Sequence, residues 1–199
     1  MATDRSREAG AEDVGLACRS QRARPICPGG SSSHASRTLA RPSWLEYGQW
    51  VLVKREVRFG RVQGELRHSA RTVFEVIVCS DGTRYLVPLE DLSRALRPLA
   101  GFAMAERMLR CLSSRTSEIG LTIAALRMEL QGLQCGECPP DVAASLLRGC
   151  YRNQSLRSGE TKQQYLVLER LVLTEIALAC GLEHDALRRN VRAAHGIVT

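Results

Sequence analysis

One spacing in this chain is typical of metal or redox chemistry, the pair of thiols in Cys135-Gly136-Glu137-Cys138. A structural zinc ion needs four ligands, and no second C-x-x-C or H-x-x-x-H pair accompanies this one. A thioredoxin-type redox pair lies at a helix N-terminus in a βαβ unit, whereas the flanking patterns place this pair in a loop between two helices. We therefore expect two loop thiols that hold no metal, with zinc binding and redox catalysis as the weaker alternatives.

Other catalytic signatures are missing from the sequence. The four histidines are His34, His68, His184 and His195, and they share no spacing. The chain contains no G-x-S-x-G, Walker A or G-x-G-x-x-G motif. We expect Glu169 and Glu175 on a predicted long helix, and Glu183 beside Asp185, to be solvent-facing or bundle-edge charges rather than an acid/base pair. These features predict a protein that is not an enzyme and that binds no cofactor.

Basic residues outnumber acidic ones, 28 to 21, for a net charge of +7, and only Lys54 and Lys162 are lysines. The excess charge is spread along the chain without a basic block, so attraction to nucleic acid is possible but diffuse. Arginines on or beside the predicted strands include Arg67, Arg71 and Arg84. The bases of the predicted helical part include Arg127, Arg148, Arg152, Arg157 and Lys162.

The first segment, residues 1–43, holds almost no large apolar residue and includes Gly29-Gly30 and the serine run Ser31–Ser33. Such a segment cannot offset the entropy of ordering, so we expect a disordered N-terminal arm. No secretory signal and no spanning segment are recognisable, which predicts a cytoplasmic protein whose eight cysteines are reduced.

Residues 44–100 carry short β-rich runs that are typical of strands. The runs cover 50–53, 58–62, 72–79 and 83–88. Asp81-Gly82 between the last two predicts a hairpin with a two-residue type I′ turn, and Pro88 through Leu92 predicts a closing turn of helix. Four or five strands in this length indicate a small SH3/Tudor-like β-barrel.

Residues 101–199 change to a helical period, and about five helices are expected. A stripe of apolar residues predicts a helix that begins near Leu121 and ends at 132–136; its members are Ile119, Ile123, Leu126, Leu130 and Leu133. Pro139-Pro140-Asp141 starts the next helix, whose expected buried face comprises Val142, Leu146, Leu147, Cys150 and Tyr151. A long helix over 162–180 with Gly181 as C-cap, and a final amphipathic helix, complete a compact all-α bundle. The fold class is therefore α+β.

The motifs of both parts resemble the CarD/CdnL family of bacterial transcription regulators. Leu156-Arg157-Ser158-Gly159-Glu160-Thr161-Lys162, running into the segment 171–179, is similar to the family's "LSxGEK … ILxxELALA". The helix over 142–152 is similar to the family's "VAEVVRDLxxR" pattern. In the strand region, 47–53 resembles "VGDxVVY" and 85–88 resembles "xxVP". The likeness covers residues 45–195.

The resemblance implies a role that the bare patterns do not. Family members bind the β subunit of RNA polymerase by pairing a barrel strand with it, and they stabilise the open complex through promoter DNA. Arg84, Leu86 and Arg67 are the implied polymerase-binding residues; Leu86 occupies the position of a polymerase-contacting Arg in the family.

The helical part would carry the DNA contacts that the resemblance implies, and it departs from the family at one position. Thr122-Ile123 stands where the family carries a tryptophan that wedges into the minor groove, so DNA binding is expected to be weak. The implied DNA-binding residues are Thr122, Ile123, Arg127, Arg152, Arg157 and Lys162. A monomer that joins the nucleoid through the polymerase is expected. The alternative is a protein-interaction adaptor that binds no DNA.

Overall fold

A computed structural model describes residues 41–67, 73–79, 81–114 and 122–197 of the chain. Nearly all of the predicted arm, together with His34, His68 and Ile119, lies outside this part. The fold of the described residues is α+β, as predicted, with a five-stranded antiparallel sheet and six helices. The strands are β1 (Trp50–Val53), β2 (Arg58–Arg67), β3 (Val73–Cys79), β4 (Arg84–Pro88) and β5 (Leu96–Pro98).

The strand order of the sheet is β4-β3-β2-β1-β5. β4 and β5 are therefore its two edges, and the sheet does not close on itself within the described residues. A short 3₁₀ turn (Leu89–Asp91) and helix α1 (Leu92–Ala95) connect β4 to β5, as the sequence predicted for this segment. The inner face of the sheet buries an apolar cluster that includes Val51, Ile77 and Leu92.

The hairpin between β3 and β4 differs from the prediction. The backbone N–H of Cys79 donates to the carbonyl of Thr83 at 2.8 Å, and the N–H of Gly82 donates to the carbonyl of Cys79 at 2.9 Å. A type I′ turn would need positive φ at both Asp81 and Gly82, but only Gly82 has it, at +81°. The connection is therefore a three-residue loop in which Gly82 supplies the left-handed conformation.

The helical part follows β5. Its helices are α2 (Phe102–Ser113), α3 (Ile123–Gln131), α4 (Pro140–Arg152), α5 (Lys162–Cys180) and α6 (His184–Ala194). The predicted bounds of α5 are confirmed, and Gly181 ends it in the left-handed region with φ of 65°. Two expected core positions are wrong, because Ile123 is 49 % and Val142 51 % exposed. In α4 the adjacent Ala143 and Ala144 are buried instead, so Val142 lies on the solvent side of its helix. None of the described helices is long and apolar enough to span a bilayer.

The expectation that Glu169 and Glu175 face solvent is wrong, since they are 2 % and 1 % exposed. Both lie on α5, which runs through the middle of the helical part. Glu169 accepts hydrogen bonds from the hydroxyls of Tyr151 at 3.0 Å and Tyr165 at 2.8 Å. It also accepts from Arg192 Nη2 at 2.7 Å, so it joins α4, α5 and α6. Burial alone would raise the pKa of Glu169, but the hydrogen bonds from Arg192 and the tyrosines hold this pKa below its ordinary value.

Glu175 connects α5 to the sheet. Its two carboxylate oxygens accept from Arg97 Nη1 at 2.6 Å and Nη2 at 2.9 Å, and Oε1 also accepts from the backbone N–H of Ala100 at 2.9 Å. Arg97 belongs to β5, so this bidentate pair fixes the last strand against the longest helix. An apolar cluster that contains Leu52, Phe59 and Leu171 seals the same junction. The sheet and the helices therefore share a core, and they belong to one compact unit.

Candidate functional site

One of the two edges of the sheet is formed by β4, the strand that carries two of the predicted polymerase-binding residues. Arg84 is exposed and Leu86 is 60 % exposed. Val87 is 6 % exposed and packs into the core of the sheet with half-buried Tyr85. The pleat of β4 thus directs Arg84 and Leu86 together away from that core, as the sequence predicted.

Backbone groups of the same two residues point outward. In an antiparallel pair, residues that exchange hydrogen bonds alternate with residues that do not. Cys79 and Thr83 form a bonded position, so the alternation makes Tyr85, opposite Ile77, the next bonded position. Arg84 and Leu86 therefore direct their N–H and C=O groups to the side of β4 that no described strand covers. Pro88 lacks an N–H, which ends the pairing potential of this edge.

Near the β3–β4 hairpin, the charge of Asp81 is balanced by a neighbouring arginine. Arg58 and Asp81 form an ion pair, and the backbone N–H of Thr83 donates to Asp81 Oδ1 at 3.1 Å. That hydrogen bond from Thr83 is the largest reason why the pKa of Asp81 lies below its ordinary value. Asp81 is therefore already neutralised by Arg58, which leaves the positive charge of Arg84 available to a partner.

Arg67 lies elsewhere in the sheet. It ends β2, opposite Val73, whereas Arg84 is opposite Val78. The two positions lie five residues apart along β3, about 17 Å at about 3.4 Å per residue in an antiparallel strand. The three predicted polymerase-binding residues therefore do not form one patch: Arg84 and Leu86 lie together, and Arg67 lies near the opposite end of the sheet.

The predicted DNA-binding residues of α3 lie at its exposed N-terminal turn. Thr122 is the N-cap, and its Oγ1 accepts a hydrogen bond from the backbone N–H of Ala125 at 3.2 Å. Ile123, Arg127 and Met128 follow on the exposed side, with Met128 73 % exposed. This helix therefore presents two large apolar side chains, the cation Arg127 and the exposed anion Glu129, and the Thr122 hydroxyl is used in capping.

The remaining predicted DNA-binding residues flank the segment between α4 and α5. Arg152 donates to the carbonyl of Ser114 at 3.0 Å, so half-buried Arg152 holds the end of α2. Arg157 is half-buried and Lys162 is exposed. Helix α3 contacts the 3₁₀ turn that precedes Lys162, so the structure brings the elements of Arg127 and Lys162 side by side.

The Cys135–Cys138 segment is a buried structural loop. The two cysteines are 7 % and 8 % exposed, and burial raises both thiol pKa values, that of Cys138 to about 11. Gly136 lies so close to β1 that a β-carbon there would overlap the carbonyl oxygen of Lys54, and Lys54 Nζ lies 3.3 Å from Glu137 Oε2. The described residues include no group of three metal-ligating side chains. The segment docks the helices on the sheet.

Glu75 is a buried carboxylate that sequence reasoning missed. It lies on β3, is 1 % exposed, and neither carboxylate oxygen accepts a hydrogen bond from a described residue. Arg41 Nε lies 3.7 Å from Glu75 Oε1. Burial raises the pKa of Glu75, and the charge of Arg41 opposes that rise. The alternation of β3 would have placed Glu75 on the face of Ile77, but only the strand order shows that this face is the interior.

The two histidines within the described residues have structural contacts. His195 Nε2 lies 2.6 Å from the carbonyl oxygen of Leu112, and its ring stacks on that of Tyr151. His184 Nδ1 lies 3.1 Å from Asp185 Oδ1 at the start of α6. They lie at opposite ends of that helix and do not converge on a common site.

Comparison with known proteins adds no assignment. No family model matches this sequence, and no curated protein is significantly similar to it.

Proposed function

We propose that this protein is a CarD-like transcription regulator that binds the β subunit of bacterial RNA polymerase through β4 and contacts promoter DNA through the helical part. The observation that carries the proposal is the free edge of β4, where Arg84 and Leu86 present outward side chains and outward backbone groups together. An exposed strand edge binds an extended segment of a partner by adding a strand, and the neighbouring side chains select the sequence. The strand order and the helical turn before β5 also suit the small SH3/Tudor-like barrel of the proposal.

The role proposed for the protein is binding and not catalysis. The two thiols of the C-x-x-C motif are buried and protonated at neutral pH, because their pKa values lie above the ordinary thiol value. The buried carboxylates Glu169 and Glu175 are saturated by donors from their own fold. These groups stabilise the structure and offer no free acid, base or nucleophile.

Polymerase binding is tested with the full chain and purified core RNA polymerase. Leu86→Asp removes an apolar contact and adds a charge at the edge, and Arg84→Glu reverses the charge there. We expect the second change to weaken binding by about 1–3 kcal/mol, roughly 5- to 150-fold in Kd. The matched control is Leu66→Asp, because Leu66 is 52 % exposed on β2 and not on β4. Wild-type affinity of both β4 variants would overturn the proposal.

DNA contact is proposed for α3 and the neighbouring start of α5. Arg127 and Lys162 are exposed bases on adjacent elements, and each real phosphate contact contributes about −0.9 to the slope of log K against log salt. Because Thr122 caps α3, the side chain available to wedge between bases is Ile123. We expect Ile123→Trp to lengthen the lifetime of the open complex, and neutralising Arg127 and Lys162 together to flatten the salt dependence of promoter binding.

The alternative function is a protein-interaction adaptor. The observation in its favour is the outward side of α3, where Ile123 and Met128 are 49 % and 73 % exposed beside a single cation. Exposed apolar side chains of this kind suit a protein partner better than a phosphate backbone. Polymerase binding without any footprint on promoter DNA would favour the adaptor.

A further inference from the structure

A cleft of about 300 Å³ lies between α5 and α6. Gln163, Val167 and Arg170 line it from α5, and their spacing of four and then three residues places them on one face of that helix. His184 and Arg188 line it from α6, where they are again neighbours one turn apart. Two arginines on different helices therefore line one space.

Arg188 brings a positive charge that the acid of the cleft does not need. Among the described residues that line the cleft, Glu169 is the one acid. Arg188 Nε donates to Glu169 Oε2 at 3.2 Å, but Arg192 already donates to the same carboxylate through Nε at 2.8 Å and Nη2 at 2.7 Å. The hydroxyls of Tyr151 and Tyr165 also donate to it. A carboxylate has one charge and about four lone-pair sites, so Glu169 is neutralised and nearly saturated without Arg188.

The donors of Arg188 that remain are accessible from the cleft. Its side chain is 39 % exposed, and Nη1 donates to no described acceptor. This guanidinium is fixed in place by Glu169 through Nε and Nη2. A cation that is both held in position and short of acceptors can bind an anion with little loss of side-chain entropy.

Arg170 is the second cation without a partner. It is exposed and makes no hydrogen bond or ion pair with a described residue, so all of its N–H donors are open. The acids at the start of α6 are engaged elsewhere: Asp185 lies against His184, and Glu183 caps the helix. Neither of these acids lines the cleft. The cleft therefore carries an excess of two positive charges.

We infer that this cleft binds the phosphate group of a phosphomonoester. Such a group carries about −1.5 to −2 charges at pH 7, which matches the two surplus guanidiniums, and the guanidinium fork donates to phosphate oxygens in pairs. Leu166 and Leu173 also line the cleft, so the organic part of the ester has an apolar wall to contact. A free nucleotide and a phosphorylated side chain of a partner both present this chemistry. The site involves neither β4 nor α3, so it does not depend on the proposed function.

The test is isothermal titration calorimetry of the full chain at constant ionic strength. The probes are adenosine 5′-monophosphate and a short phosphoserine peptide, each compared with its form that lacks the phosphate. We expect at least one phosphorylated probe to bind, and to bind at least tenfold more tightly than its unphosphorylated form. Arg170→Met keeps the apolar stem and removes the charge, so it should weaken that probe at least tenfold. The matched control is Arg110→Met, because Arg110 is an exposed arginine of α2 that does not line the cleft.

The phosphorylated probe that binds more tightly identifies the source of the phosphate group. Failure of both probes to bind, or binding that does not require the phosphate, would overturn the site. An equal effect of Arg170→Met and Arg110→Met would overturn it too, because attraction would then come from net charge and not from the cleft. Displacement of adenosine 5′-monophosphate by duplex DNA without terminal phosphates would show that the cleft recognises phosphodiesters, which also contradicts the inference. None of these results bears on polymerase binding, which is measured at β4.

Discussion

The pair formed by Arg97 and Glu175 allows a quantitative test of how the sheet is held to the helices. In Glu175→Gln the amide oxygen can still accept from Ala100 and from Arg97 Nη1. The amide nitrogen replaces the second carboxylate oxygen, so two donors, separated by 2.9 Å in the wild-type geometry, face each other. Removing one charge of a buried pair destabilises a protein by about 3–5 kcal/mol. The Arg97 side chain is 17 % exposed and regains some hydration, so we expect the lower value, about 3 kcal/mol.

The assay is urea unfolding followed by far-UV circular dichroism. With an m-value of about 2 kcal/mol/M, a loss of about 3 kcal/mol lowers the midpoint by about 1.5 M. Glu129→Gln is the matched control, since Glu129 is exposed on α3 and its change should stay within about 0.5 kcal/mol. The double variant Arg97→Met/Glu175→Gln should lose about 2 kcal/mol less free energy of unfolding than the sum of the losses in the two single variants. Strict additivity, or a midpoint shift as small as that of the control, would refute the role of the pair.

Three further outcomes follow from buried groups. Glu75→Gln should stabilise the fold at pH 7 by roughly 1 kcal/mol, measured as a higher Tm, because the raised pKa of Glu75 means that its charged form destabilises the fold. This gain in stability should shrink as pH falls below the pKa of Glu75 in the folded state. A gain that is independent of pH would contradict the reasoning. Gly136→Ala should lower Tm by several degrees, since the added methyl group collides with the Lys54 backbone. Gly101→Ala is the control for the change from glycine to alanine, because no atom lies within 4 Å of a β-carbon added at that position. Cys138, with its pKa raised to about 11, should resist iodoacetamide at pH 8 in the folded protein and react after unfolding in urea, as mass spectrometry would detect; rapid labelling of the folded protein would argue against a buried thiol.

Local sequence patterns predicted the helices and strands, whereas the burial of individual charged residues and the strand order depend on contacts between residues far apart in the sequence. The centre of residues 162–180 is apolar nearly all round, Ser158-Gly159-Glu160 precedes this range and Gly181 follows it, so both ends of α5 were predictable. The burial of Glu175 was not, because its partner Arg97 is 78 positions away and no periodicity links them. The alternation of β4 predicted that Arg84 and Leu86 share a face. The position of β4 at an edge was not predictable, because it depends on the strand order. After the helical turn that follows β4, the chain crosses to the far side of the sheet, where β5 pairs with β1.

The junction between sheet and helices has a consequence for synthesis on the ribosome. At about 5–20 residues per second, the 78 residues that separate Arg97 from Glu175 take roughly 4–16 s to translate. During this interval the nascent sheet has Leu52 and Phe59 without Leu171 to cover them, and Arg97 lacks its carboxylate. The sheet therefore keeps these apolar side chains and the Arg97 charge uncovered until α5 leaves the exit tunnel, so chaperones have access to the sheet before the helical part completes the fold.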